Sequence, residues 1–254
     1  MTKITEPIVE ICCGGYYDVM QAAEGGADRV ELTAALAVGG LTPSPATVAL
    51  AKEKADITVI SMLRPRAGGF YYLDEDFQVM LADAKYLLDY GSDGLAFGCL
   101  LADGAMDMEK TKRLVEVIKR YDREAVVHRA FDCVPEVERT VEDLIAIGVD
   151  RILTSGQGAT VMEGLDKLEA LQGAYGDRIQ LLAGCGVRAS NVNEILTKTK
   201  VRQVHSSCKE WLTDPTNISG QISYAFAAAP HEREYDVVSA AEVRKLVQLV
   251  RQAD

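Results

Sequence analysis

The residues in this chain best equipped for chemistry stand directly after short apolar runs. His128-Arg129-Ala130-Phe131-Asp132 follows one such run, His205-Ser206-Ser207 another and Arg64-Pro65-Arg66 a third. Glu10 and Cys12 end the first run, Glu31 closes the second, and Thr154-Ser155-Gly156 and Gly184-Cys185-Gly186 follow two more. Imidazole titrates near neutrality, so His128 and His205 are candidate general acids or bases, with Glu10, Glu31 and Asp132 to orient them or exchange a proton. A guanidinium donates two hydrogen bonds at once, which suits Arg64, Arg66 and Arg129 to a carboxylate or phosphate, with hydroxyls from Thr154, Ser155 and Ser206 nearby. Cations gathered in one cleft repel unless an anion compensates them, so the pattern points to a small anionic ligand. A metal is a further reading: Cys12, His128 and His205 could meet, and thiolate with imidazole suits Cu+ or Zn2+. Cys13 adjoins Cys12, but successive strand residues face opposite ways, so the two do not share an ion.

Such scattered residues need a scaffold that gathers them. Apolar, β-branched runs centred on Glu10, Glu31, Met62, Ala96, Val127, Leu153, Leu182 and Val204 alternate with segments of helical period. Eight buried parallel strands with helices between them predict a closed (β/α)8 TIM barrel in a single domain over residues 1–254, with a doubly wound open sheet as the alternative. In a barrel, the residues that follow the strands share one mouth. Gly184 and Gly186 then sit after the seventh strand, where many barrels hold phosphate, although a plain tight turn fits them as well. A weak repeat, Gly26-Ala27-Asp28, Gly91-Ser92-Asp93 and Gly148-Val149-Asp150, closes helices at the opposite face. Residues from about 213 to 236 read as an excursion without strand period. Ser239 to Glu242 has capping-box spacing and opens a last helix over about 239–252.

The chain has 254 residues, with 27 Lys and Arg against 38 Asp and Glu, a formal charge of −11. That balance opposes phosphate backbones and anionic membranes, so no nucleic acid and no membrane partner is expected. Six scattered cysteines without a CxxC pair, and a start at Met1 to Pro7 without an apolar run, predict a reduced, cytoplasmic protein. No lysine ends any of the first seven strands, which disfavours a Schiff-base aldolase, and GxSxG, HExxH and P-loop motifs are absent.

Six blocks in order resemble the signature of the CutC family: Glu10-Ile11-Cys12, Gly25 to Leu32, Gly39-Gly40-Leu41-Thr42-Pro43-Ser44, Met62 to Arg66, His128 to Asp132, and Leu153 to Gly156. The resemblance implies a TIM barrel, a cytoplasmic location, a homo-oligomer (dimer or tetramer) and a role in copper homeostasis through cysteines of the first two strands. Cys12 matches the first of these, whereas Thr33 stands where the family usually has the second. The segment Ala67-Gly68-Gly69-Phe70 also lacks an acidic residue that the family tends to carry there. Two functions follow. One is a copper-homeostasis protein binding copper through Cys12, with His128 and His205 as further ligands. The other is an enzyme on a small phosphorylated or carboxylated metabolite, since soft-metal carriage gives no reason for the Arg-Pro-Arg and His-Arg-Ala-Phe-Asp motifs.

Overall fold

In a computed structural model, which describes residues 6–253, eight parallel strands close into a barrel in sequence order. They are β1 (Ile8–Cys13), β2 (Arg29–Leu32), β3 (Thr58–Met62), β4 (Gly94–Phe97), β5 (Glu124–Val127), β6 (Arg151–Thr154), β7 (Gln180–Ala183) and β8 (Gln203–Ser206). Between them run helices α1 (Tyr16–Glu24), α2 (Pro45–Lys54), α3 (Asp74–Asp89), α4 (Met108–Arg120), α5 (Val137–Ala146), α6 (Leu165–Tyr175) and α7 (Val192–Thr199), and α8 (Ala240–Gln252) ends the chain. This is the expected TIM barrel, and every expected strand centre falls inside its strand. The reading over Met1 to Pro7 lies largely outside the described residues.

The period of two along each strand divides the packing. Val9, Ile11, Val30, Leu32, Val59, Leu95, Ile152, Leu181 and Val204 face outward and join the helices in one apolar core. The inward set is mixed: Ile60, Ala96 and Val126 form a small separate cluster, while Glu10, Arg29, Arg151 and Gln203 are buried and polar.

The Gly-x-Asp turns do more than cap helices. Gly26, Gly91 and Gly148 take left-handed φ values of 84°, 100° and 87°. Two residues on, Asp28, Asp93 and Asp150 accept a hydrogen bond from the backbone N–H of Val9, Val59 and Ala125 respectively. Each aspartate thus fastens the loop entering one strand to the strand before it, and the ion pairs Arg251–Asp28, Lys52–Asp93 and Lys119–Asp150 tie a helix to the same point.

Two local expectations need correction. The excursion is bounded by regular structure, because β9 (Lys209–Thr213) pairs antiparallel with β12 (Glu234–Val238). Two-residue strands β10 (Ile218–Ser219) and β11 (Ile222–Ser223) pair between them. Ser239 makes no side-chain cap; its N–H instead donates to the Cys208 carbonyl, which carries the chain from the mouth into α8. Asp18 on α1 holds the same return, accepting from the Val238 and Gly14 amides.

Candidate functional site

Strand register brings the central residues together. Along β1, Cys12 lies beside Glu31 of β2, and Glu10 lies beside His205 of β8. All four point inward, so three adjoining strands supply one cluster. The Cys12 Sγ, a Glu31 carboxylate oxygen and a His205 ring nitrogen all lie within 4.8 Å of one another. Glu31 Oε2 is 3.9 Å from the Cys12 sulfur and 3.9 Å from His205 Nε2. His205 Nδ1 is 2.7 Å from Glu10 Oε1, which fixes the ring and leaves Nε2 facing Glu31.

A charged network fills the barrel below this cluster. The other Glu10 oxygen accepts from Arg29 Nε, and Arg29 donates onward to Gln203 Oε1 at 2.7 Å. Gln203 donates to Gln180, and Arg151 connects Gln180 and Glu124 while lying 4.0 Å from Glu10. Burial alone would raise the Glu10 carboxyl, but Arg29, His205 and Arg151 outweigh it and hold the group well below the carboxylate range. Glu31 has fewer compensating partners. Burial, with the nearby Glu10 charge added and only partial relief from His205, lifts it to about 7. Burial opposes a charge on His205, yet hydrogen bonds to Cys12 and Glu10 and the Glu31 charge raise its pKa well above the ordinary value. Burial also pushes the Cys12 thiol up. At neutral pH Cys12 and His205 therefore hold their protons, Glu31 titrates and Glu10 is ionised.

The other expected site residues lie elsewhere or are engaged in structure. His128 does not join Cys12, because β5 lies across the barrel from β1. Its ring is buried 4.8 Å from Phe70, and Nδ1 accepts from the Ala130 amide. Burial, with Arg64 and Arg129 nearby, pushes it down to about 3, so it stays neutral. Glu31, and not His128, stands beside Cys12 and His205. Arg64 donates to the carbonyls of Val38, Gly40 and Gly68 and lies over Phe70, clamping two loops. Arg66 pairs with Asp76 and donates to the Ala67 and Tyr71 carbonyls. Neither guanidinium is presented as an anion fork at the mouth.

Arg129 does reach the mouth, held by Asp132 at 2.9 Å and Ser155 at 3.2 Å. Asp132 accepts from Thr154 Oγ1, the Ser155 amide and hydroxyl and the Gln157 amide as well, so it organises the loop after β6. Thr154, the last residue of β6, and Ser155, the first of that loop, are fully buried. Ser206 Oγ donates to the Val187 carbonyl at 2.7 Å and binds the β7–α7 loop to β8. In that loop, a side chain at Gly184 would meet Leu153 at 2.5 Å, and Gly186 has φ +85°. Thr33 hydrogen bonds to the Cys13 carbonyl, and Cys13 is buried facing outward.

Above the cluster lies a cavity of about 720 Å³, lined by Cys12, His205, Arg129, Arg188, Lys209 and Trp211 among others. A second cavity also reaches Cys12, on the side of Leu36 and Phe226. The excursion leans over both: Trp211 stacks on His231 at 4.1 Å, with the Lys209 ammonium 5.2 Å from the Trp211 ring centroid. Sequence reasoning missed Arg29, Arg151, Gln180, Gln203, Arg188 and Trp211. A signal existed for the first four, since each is polar at an alternate position of an otherwise apolar strand.

The CutC family model matches residues 7–210. A CutC family protein of Treponema denticola is 37% identical over 240 residues, which is 94% of this chain and 97% of the relative. One from Glaesserella parasuis is 41% identical over 201 residues, 79% of this chain and 82% of the relative. A crystal structure from Streptococcus agalactiae, described as a candidate copper homeostasis protein CutC, superposes with a TM-score of 0.75 at 31% identity, over 79% of this chain and 98% of that one.

Proposed function

The chain belongs to the CutC family, and from that premise we propose that it is a cytoplasmic copper-homeostasis protein that holds its metal between Cys12, His205 and Glu31. The meeting of those three donors at the barrel mouth carries the reading. Metal bonds of about 2.0–2.3 Å set tetrahedral ligands roughly 3.3–3.8 Å apart, so the two separations of 3.9 Å need only a small contraction. Glu10 against His205 Nδ1 supplies the outer carboxylate that orients a ligating imidazole. With three protein ligands, a four-coordinate ion would have room for one more ligand from the cavity that Cys12 and His205 line. With one thiol rather than two, the donor set is mixed, and zinc competes closely with copper for it.

Six free cysteines support a reducing compartment, and among the described residues no helix is long and apolar enough to cross a membrane. Exposed Ile222, Tyr224 and Phe226 on the excursion support assembly as a homo-oligomer.

A second reading, an enzyme on a small anionic metabolite, is favoured by the cationic cavity and by Glu31, which at about 7 can exchange a proton near neutrality. In it, His205 and Glu31 act as acid and base, and Glu10 positions His205.

The test is competition of reduced protein with a chelator for Cu+ and Zn2+. We expect one equivalent per chain, affinity that rises with pH as protons leave the donors, and at least about tenfold weakening in Cys12→Ser and Glu31→Gln. Binding no tighter than to an exposed thiol, or unchanged in Cys12→Ser, would overturn it.

A further inference from the structure

The mouth cavity has a charge unlike that of the protein around it. In a chain of formal charge −11, its charged lining is Arg129, Arg188, His205 and Lys209 against Glu242 alone. These residues come from separate elements: the turn after β5, the loop after β7, and both sides of the β8–β9 corner. Three of them are already compensated. Arg129 pairs with Asp132, Lys209 with Asp236, and His205 with Glu10. Arg188 is different: it is exposed, and its guanidinium has no acidic partner among the described residues. A guanidinium left open in a cavity that a second one also lines, with a volume in the usual small-ligand range of about 300–1,000 Å³, suits a planar or tetrahedral oxyanion.

The β7–α7 loop is built to hold Arg188 there. Its amide donates to Asn191 Oδ1 at 2.8 Å, Asn191 Nδ2 returns to the Gly186 carbonyl, and Ser206 ties Val187 to β8. On the other side, Asp132 and Ser155 take Nε and Nη2 of Arg129. Trp211, the single tryptophan of the chain, lines the same cavity and provides an aromatic wall.

We propose that this cavity is a subsite for a small molecule bearing a phosphate or carboxylate group, bound between Arg188 and Arg129 directly above Cys12 and His205. The assignment rests on the anionic-ligand reading of the mouth and gives it a location different from the Arg64 and Arg66 motif. A metal held by Cys12, Glu31 and His205 would face the same space, so metal and anion would favour each other's binding, equally in both directions.

Trp211 emission gives a direct readout. Apo protein is titrated with inorganic phosphate and, separately, with malonate, and the titrations are repeated with one equivalent of Zn2+, in wild type, Arg188→Ala and Cys12→Ser. We expect a saturable change with at least one of the two anions, weakened about tenfold or more in Arg188→Ala, and tightened by Zn2+ in wild type but not in Cys12→Ser. The stronger response identifies phosphate or carboxylate as the preferred group. Arg188 is exposed and its side chain has no hydrogen bond or ion pair among the described residues, so we expect Arg188→Ala to keep the wild-type melting temperature and metal stoichiometry. Saturable binding that Arg188→Ala leaves intact overturns this subsite while the anionic-ligand reading stands. No saturable response to either anion, with or without Zn2+, overturns both.

Discussion

Glu31→Gln separates the stability of the barrel from the use of its mouth. In the folded protein the Glu31 carboxyl sits at about 7 against an ordinary 4.5, raised first by burial and then by the Glu10 charge. A group with a raised acid pKa binds more protons folded than unfolded between those two values. Stability therefore falls as pH rises through the window from about 4.5 to 7. The gap of about two and a half units corresponds to roughly 3 kcal/mol at pH 8, lost because a carboxylate must ionise where solvent cannot reach it. The amide introduced by Glu31→Gln does not titrate, so the variant escapes that loss. For a chain of this size, about 2–4 °C in Tm per kcal/mol gives an advantage of roughly 6–12 °C at pH 8 that shrinks towards pH 5. Thermal melts of both proteins in chelator, between pH 5 and pH 8, read the difference directly. Any pH-independent effect of the amide appears as a constant offset and cancels in the slope. Glu10 stays against His205 Nδ1 in both proteins. A Tm difference that does not grow with pH would refute the placement of Glu31 as a poorly compensated buried acid.

Glu10→Gln acts in the opposite sense. It leaves Arg29 and Arg151 buried without their shared carboxylate, at about 3–5 kcal/mol, and loosens the His205 ring, which should weaken Zn2+ about 10- to 100-fold in a titration below the onset of melting. A Tm within about 2 °C of wild type would show that the carboxylate is dispensable to the network. Asp132→Asn should destabilise the loop after β6 by roughly 1–3 kcal/mol, because the amide cannot serve five donors, and hydrogen exchange should accelerate at the Ser155 and Gln157 amides. Unchanged protection at those amides would place the organising contacts elsewhere.

Much of this was legible in the sequence. Parallel strands buried on both faces show as apolar runs, and the recurring Gly-x-Asp turns mark where each helix hands over to a strand. Cys12, Glu10, Glu31 and His205 were singled out at or near strand ends, and strand register brings the four together. His128 and the two arginines after β3 lie apart from that cluster for a physical reason. Strand-end position says that a residue reaches the mouth, whereas the direction of a long side chain depends on loop carbonyls that periodicity does not reveal. Arg64 finds three such carbonyls, and no local pattern announces them. Arg188 and Trp211 lie beyond the barrel strands and became visible only when the excursion was seen to lean over the mouth.

The barrel interior also constrains which ion suits it. Branched apolar side chains commonly fill such barrels, whereas here Glu10, Glu31 and Glu124 face Arg29, Arg151 and His205. The Glu124 side chain is 39% exposed and screened by solvent, so the buried charges are Glu10, Glu31, Arg29, Arg151 and His205. A metal that took the protons of His205 and Cys12 would leave Glu10, Glu31 and a thiolate against two arginines, one net negative charge. A monovalent ion would restore neutrality in that poorly solvated space, while a divalent ion would leave one positive charge for an anion from the cavity to meet. Replacing Arg29 or Arg151 by a neutral residue should therefore tilt selectivity towards the divalent ion, which competition between Cu+ and Zn2+ reads directly.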